Sequence, residues 1–353
     1  MTCSKQSGFT LVELMVAMVI GLVLIAGMAT VFSGIRRSAE LNTALGDMQE
    51  NARYILDTLA RDGRMAGYQG CVNVEDTSAT ILANDAPTNN FFQSALSGSR
   101  IVSATNWTPA PPLTFTIPNT VTPVVGSDVL SIQYGNPETY PVAPMAQVNA
   151  NIVTTTPNRT IQANDLVIVS NCQVADLIRV NAVNINTLSH TSATNSSSNV
   201  SARYGQGGAK NLSQVMKFES NVYFLADTGR TNESNDPVIS LYRQSLPFSG
   251  APQEIVESVD AFRVKYGIRQ PGSNNLEWVD VNDVGGDFGR VQSLQIGLLV
   301  SSYERILSED DNQTYMIAGD LVQPAGTNGA VLTHPGGRRM RLAFNTTINV
   351  RNR

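Results

Sequence analysis

Histidine and charge are both scarce in this chain of 353 residues. Its two histidines, His190 and His334, have no second histidine or cysteine at ligand spacing, which argues against a zinc site. There is no Gly-x-Ser-x-Gly elbow and no phosphate-binding glycine loop, so neither a hydrolase serine nor a nucleotide cradle is offered. Asp280-Val-Asn282-Asp283-Val-Gly285 imitates the start of a calcium loop but has Val291 where the bidentate glutamate should fall. It reads as a solvated turn, and Glu309-Asp310-Asp311 reads as a loop. Charged residues are 15% of the chain and the net charge is −5, which argues against a surface built to coat nucleic acid. A structural or binding protein is expected, with no catalytic residue, cofactor or metal; a membrane-anchored periplasmic enzyme is the remote alternative.

What is present begins at residue 8. Gly8-Phe9-Thr10-Leu11-Val12-Glu13 opens an apolar run, and the 19 residues from Leu14 to Phe32 carry no charge. About 20 such residues cross a bilayer as a helix. A carboxylate inside such a span costs roughly 2–3 kcal/mol or more, so Glu13 needs a partner. An ordinary signal peptide has its apolar core before the cleavage site, whereas here a polar stretch with Lys5 stops at Gly8 and the apolar run follows. The chain is expected to be anchored, with its N-terminus inside.

A hydrophilic leader ending in Gly8, then Phe9-Thr10-Leu11-x-Glu13 and a continuous apolar helix, resembles the class III signal of type IV prepilins and type II secretion pseudopilins. The resemblance implies that a prepilin peptidase cuts after Gly8 and N-methylates Phe9. The new amine and Glu13 would be offset by about 6 Å along one helix, so a neighbour displaced by about one turn levels its amine with this carboxylate. At about 4 Å and an effective dielectric near 20 the pair gains roughly 4 kcal/mol, comparable with its desolvation. Ala17, Gly21, Ala26 and Gly27 offer small surfaces for helix approach.

Beyond the anchor, Leu41, Leu45, Met48, Ala52, Ile55 and Leu59 recur at spacings of four and three, one apolar face over more than five turns. Arg36 with Glu40 and Asp57 with Arg61 are opposite charges four apart, and Gly63 and Gly67 are expected to end the helix. From Cys71 on, short β-branched runs alternate with Pro, Gly and Asn. Strands are expected at Val129–Tyr134, Leu166–Ser170, Leu177–Val180, Val222–Ala226, Val238–Arg243, Phe262–Tyr266, Val291–Val300 and Arg341–Val350, with a long exposed loop over about 184–210. Arg338, Arg339, Arg341, Arg351 and Arg353 form a basic cluster facing a partner, lipid headgroups or solvent.

Ala52-Arg53-Tyr54, the run Arg61-Asp62-Gly63-Arg64-Met65-Ala66-Gly67-Tyr68-Gln69-Gly70-Cys71, Asn164 to Val169 with Cys172, Leu241-Tyr242-Arg243 and Arg351-Asn352 are similar to the PilW family of minor pilins, most densely in the N-terminal third. The resemblance implies an α+β, pilin-like fold: leader 1–8, membrane or filament-core helix 9–32, amphipathic continuation 33–66, and β-rich periplasmic head 67–353. It further implies a part in priming a type IV pilus and a place at its tip, with other minor pilins, the major pilin and a tip adhesin as partners. Before assembly the chain would sit in the inner membrane. A GspJ-like minor pseudopilin of type II secretion is the alternative. The helix lacks the proline that major pilins place in its middle. Cys3 would leave with the leader, and Cys71 with Cys172, an even pair in an exported domain, reads as a disulfide, with two buried thiols as the alternative.

Gly8→Val should block processing, because only a residue without a side chain lets the backbone lie close to the peptidase. Intact-mass measurement should find a precursor eight residues longer; a chain starting at Phe9 would refute the assignment.

Overall fold

The structure, a computed structural model, describes residues 10–71, 78–87, 91–110, 120–206, 212–248, 250–270 and 275–351. The leader, Gly8 and Phe9 lie outside them. One helix runs unbroken from Leu11 to Met65, 55 residues, with no proline to interrupt its hydrogen bonds. Its two halves live in different surroundings. Sixteen large apolar side chains between Leu11 and Ile35 are exposed, whereas Met48, Ala52, Ile55 and Leu59 are buried. The predicted stripe is thus the face that meets the head.

The head is β-rich. Its largest sheet has ten strands among the described residues, built around Gln214–Thr231, 18 residues long. That strand pairs antiparallel with Asp128–Pro141 on one side and with Leu166–Ser170 and then Pro237–Ser245 on the other. A second, antiparallel sheet has the order Leu276–Val279, Val259–Arg269, Val291–Ser301, Arg341–Asn349. Two three-stranded sheets complete the described part of the head. The helix lies where the two large sheets meet. Met48, Ile55 and Leu59 share one core with Ile132, Tyr134 and Tyr223 of the first sheet and Phe262, Leu294, Leu298 and Ile348 of the second. Deleting a large side chain from such a core costs about 2–5 kcal/mol, so the helix is a component of the head and not an appendage.

The eight expected strands are all present, several longer than expected. Val222–Ala226 is the middle of Gln214–Thr231, whose polar start, with Lys217, Glu219 and Ser220, gave no alternating apolar signal. Three further expectations need correction. Gly63 does not end the helix. It lies within the last turn, where an added Cβ would meet Ile348 Cγ2 at 3.0 Å, so it lets helix and sheet approach. Asp57 pairs with Arg53 at 3.8 Å, one turn earlier and not later, while Arg36 and Glu40 pair at 3.0 Å. The Ser/Asn-rich stretch is not an exposed loop. Leu188, His190, Asn195, Val200 and Tyr204 are buried there, because polar side chains satisfy the backbone: Asn195 Nδ2 closes a local turn by donating to Thr191 O at 3.0 Å, while its Oδ1 accepts from Arg179 N at the end of the strand Val174–Arg179 at 2.8 Å. Of that stretch, residues 207–210 lie outside those described.

Cys71 and Cys172 are joined, closing a sequence separation of 101 residues. Chain entropy assigns such a loop about 4–5 kcal/mol. Cys71→Ser and Cys172→Ser should therefore lower the denaturation midpoint of the full chain equally, and the double variant should lose nothing more. Unequal single losses that add in the double variant would count against one shared bond.

Candidate functional site

Three features carry the chain's chemistry: the start of the helix, its junction with the head, and a ring of charges centred on the buried pair Asp128 and Arg263.

At the start, Thr10 caps the helix. Glu13 N donates to Thr10 Oγ1 at 3.3 Å, while Thr10 N and Thr10 Oγ1 donate to Glu13 Oε2 at 2.9 and 3.0 Å. This capping box satisfies two amide donors that a helix N-terminus leaves open. Glu13 therefore has a partner inside its own chain, which the Thr10-x-x-Glu13 spacing signals in the sequence. Among the described residues Oε1 makes no hydrogen bond, so one oxygen remains for another group.

At the junction, Asp62 sits in the last turn of the helix and is buried. Tyr223 Oη and Asn221 Nδ2 donate to its Oδ2 at 2.6 and 2.8 Å, and Tyr134 Oη to its Oδ1 at 3.2 Å. All three donors come from the large sheet. Burial, and then the Asp62 charge, push the Tyr134 and Tyr223 hydroxyls well above the usual tyrosine range, so both stay protonated and donate. Hydrogen bonds to a charged group contribute about 1.5–3 kcal/mol each. The chain then threads along the sheet: Gly67 N donates to Gln133 O at 2.9 Å and Gly135 N to Tyr68 O at 2.7 Å. Gly70, at φ +89°, passes so close to Gln214 that a Cβ would lie 2.1 Å from its Nε2, and Cys71 is bridged to Cys172. The run from Asp62 to Cys71 is thus one continuous fastening of helix to head.

The third feature is a closed ring of alternating charge. Arg100 meets Asp128 at 2.9 Å, Asp128 meets Arg263 at 2.9 Å, Arg263 meets Asp320 at 3.0 Å, Asp320 meets Lys265 at 2.7 Å, Lys265 meets Asp280 at 3.0 Å, and Asp280 returns to Arg100 at 3.0 Å. Asp280, expected in a solvated turn, instead lies between two cations. The ring ties the large sheet, through Arg100 and Asp128, to the second sheet, through Arg263 and Lys265. Burial works against the charge of Lys265, but Asp320 and Asp280 outweigh it and raise its pKa; burial likewise opposes the Asp280 charge, and Lys265 and Arg100 outweigh it and lower its pKa.

The arginine cluster also turns inward. Arg341 is buried, donating from Nε to Asp260 at 2.6 Å and from Nη1 to Asp311 at 2.9 Å. Arg339, also buried, donates from Nε to Ser302 O at 2.6 Å. Arg338 pairs with Asp310 at the surface at 3.8 Å, Arg351 is exposed, and Arg353 lies outside the described residues. Two of the five arginines expected at the surface are therefore an internal fastening, and Asp311 belongs to it and not to a solvated loop. Both histidines are buried, His190 Nε2 at 3.0 Å from Ala150 O and His334 Nε2 at 2.9 Å from Gln313 O. Among the described residues no three His, Cys, Asp or Glu gather as a metal site would require.

An apolar helix left bare at one end and fastened into a β-rich head at the other is an α+β, pilin-like fold, and the prokaryotic N-terminal methylation motif matches residues 3–29. Residues 222–352 match Type IV Pilus-assembly protein W. Together the two matches support a PilW-like, prepilin-type minor pilin with a role in type IV pilus assembly. The family match covers the second sheet and the end of the first, whereas residues 61–71 and 164–172, which carry much of the visible resemblance, lie outside it. No curated protein and no solved structure matches the chain.

Asp280→Asn should destabilise the protein by about 1 kcal/mol at pH 7, the upper range for partly exposed pairs. Because the Asp280 pKa is lowered in the folded state, its contribution is present above its ordinary value of 3.8 and is lost as pH falls further. Melting curves of the two proteins should therefore converge below that pH. A gap that persists unchanged would show that the charge of Asp280 is not what the ring uses.

Proposed function

We propose that the chain is cut after Gly8 by the prepilin peptidase, N-methylated at Phe9, held in the inner membrane with its head in the periplasm, and then placed at the tip of the pilus, where it helps prime assembly with other minor pilins. The observation that carries this reading is the bare half of the helix. Burying an apolar side chain gains roughly 1.5–3 kcal/mol, so sixteen exposed ones represent some tens of kcal/mol that only lipid or other helices recover. Glu13 then acts in assembly, its free Oε1 receiving the Phe9 amine of the next subunit while Thr10 holds Oε2.

Placement at the tip follows from size. A head of about 290 residues has a radius of gyration near 19 Å and a width of about 50 Å, whereas packed helices lie about 8–10 Å apart. Heads this large at every position along a filament would collide, while one at the end has free space. A tip adhesin and the major pilin are the partners this position supplies.

In cells whose only copy is wild type, antibody against the head should label sheared pili at one end. Cells carrying only Glu13→Ala should retain a trimmed, membrane-bound chain and make few pili. Label spread along the filament would overturn the tip placement, and normal pilus numbers in the variant would remove the case for pairing through Glu13.

A further inference from the structure

We propose that the C-terminal strand Arg341–Asn349 is a docking edge that accepts an extended strand from the head of another pilin in the same assembly, an inference that rests on the minor-pilin reading above.

Among the described residues the strand is the last in its sheet. There it pairs with Val291–Ser301 on one side only, and its register fixes which main-chain groups are left over. Met340 O accepts from Ser302 N at 2.8 Å and Val350 N donates to Gln292 O at 2.9 Å. The pairing between them runs without a shift, so the even-numbered residues 342, 344, 346 and 348 exchange hydrogen bonds with the neighbouring strand. Antiparallel pairing alternates, so residues 341, 343, 345, 347 and 349 turn their N–H and C=O groups outward. None of those outward groups at 343, 345, 347 and 349 has a main-chain partner among the described residues.

Proteins normally guard such an edge with charge, proline, a bulge or short length. The other outer strands of the two large sheets, among the described residues, are guarded: Ser78–Ile81 and Leu276–Val279 have four residues each, Asn106–Thr108 has three and is followed by Pro109, and Gln253–Glu257 carries Glu254 and Glu257. The C-terminal strand has nine residues, and from Leu342 to Asn349 it bears no charge and no proline. Ala343, Asn345, Thr347 and Asn349 are exposed. A neutral row of amides recognises neither a lipid headgroup nor a nucleic acid; it recognises another backbone.

The occupant is set by the helix. The even-numbered face, with Ile348 against Gly63, packs on the helix, so the edge has a fixed place beside the element that brings subunits together. A second copy of the same strand is the wrong occupant. Identical edges pair antiparallel about a two-fold axis normal to the sheet, which would reverse the two helices lying on that sheet and send their anchors in opposite directions. A different pilin, carried on a helix of the same direction, meets no such conflict.

Ala343→Pro and Thr347→Pro each remove one outward N–H and leave the inner ladder intact. In full-length protein expressed with the cell's own pilins and extracted in detergent, both variants should keep the wild-type melting temperature and the Cys71–Cys172 bridge. Recovery of a co-purifying chain, identified by mass as another prepilin-type subunit, should fall tenfold or more. In wild type, amide hydrogen exchange at 343, 345, 347 and 349 should be fast in the isolated chain and slow in that complex, which keeps the test valid should a proline variant misfold. Undiminished recovery with fast exchange at these amides overturns the edge alone. Protection that appears in a dimer of this chain overturns the choice of occupant, and a wild-type chain that brings down no pilin at all overturns the minor-pilin reading and this proposal with it.

Discussion

Everything in this protein depends on one helix being held hard at one end. Its first half exposes apolar residues that water disfavours, and it can do so only if its second half is fixed by contacts that do not yield. The fixing is layered. Apolar burial of Met48, Ile55 and Leu59 between two sheets supplies the bulk, the Asp62 carboxylate with its three donors sets the rotation and height of the last turns, and the disulfide locks the exit of the chain. A buried carboxylate left without donors costs more than it returns. Asp62 is thus a specificity device: slide the helix by one turn, about 5 Å, and Tyr134, Tyr223 and Asn221 lose it together.

How much of this could be read from the sequence depends on the range of the interaction. Local periodicity is short-range, so the helix, its apolar stripe and the centres of the eight strands were legible, as was the cysteine pair. The Thr10-x-x-Glu13 capping box is equally local, but the cost of a carboxylate in an apolar span points first to a partner in another chain. Long-range pairing was not legible. Nothing in the neighbourhood of Asp280 announces Arg100, 180 residues away, and Arg339 and Arg341 look like a surface patch until Asp260 and Asp311 are brought beneath them. Charge counted along the chain cannot distinguish a patch from an internal pair. The Ser/Asn-rich stretch misled for a related reason: side chains that close turns look hydrophilic, yet they allow the backbone to fold inward.

The charge ring shows why two sheets of such different size stay registered. Three cations and three anions alternate around a closed path, so each charge has two opposite neighbours and the whole is neutral. Desolvating a single pair often costs as much as it gains, but each added neighbour shares one desolvation among more attractions. The ring therefore orients the sheets more than it stabilises them, while the shared apolar core does the reverse.

The unbroken helix also fixes where the head stands. A hydrocarbon layer about 30 Å thick would take up about 20 residues, close to the uncharged run from Leu14 to Phe32. The first fully buried helix residue is Met48, but from Arg36 onward the helix already lines a groove with Glu257, Ser302 and Tyr303 of the head, so few residues stand between the lipid and the head. Over that short stalk and the join that follows it the charged residues Arg36, Arg37, Glu40 and Asp47 appear. With no proline to soften it, the stalk transmits any displacement of the anchor to the head as a rigid rod. A subunit drawn out of the bilayer by one step would lift its second sheet, and the strand Arg341–Asn349 on its margin, by the same distance. In such a protein, register among anchors is register among heads.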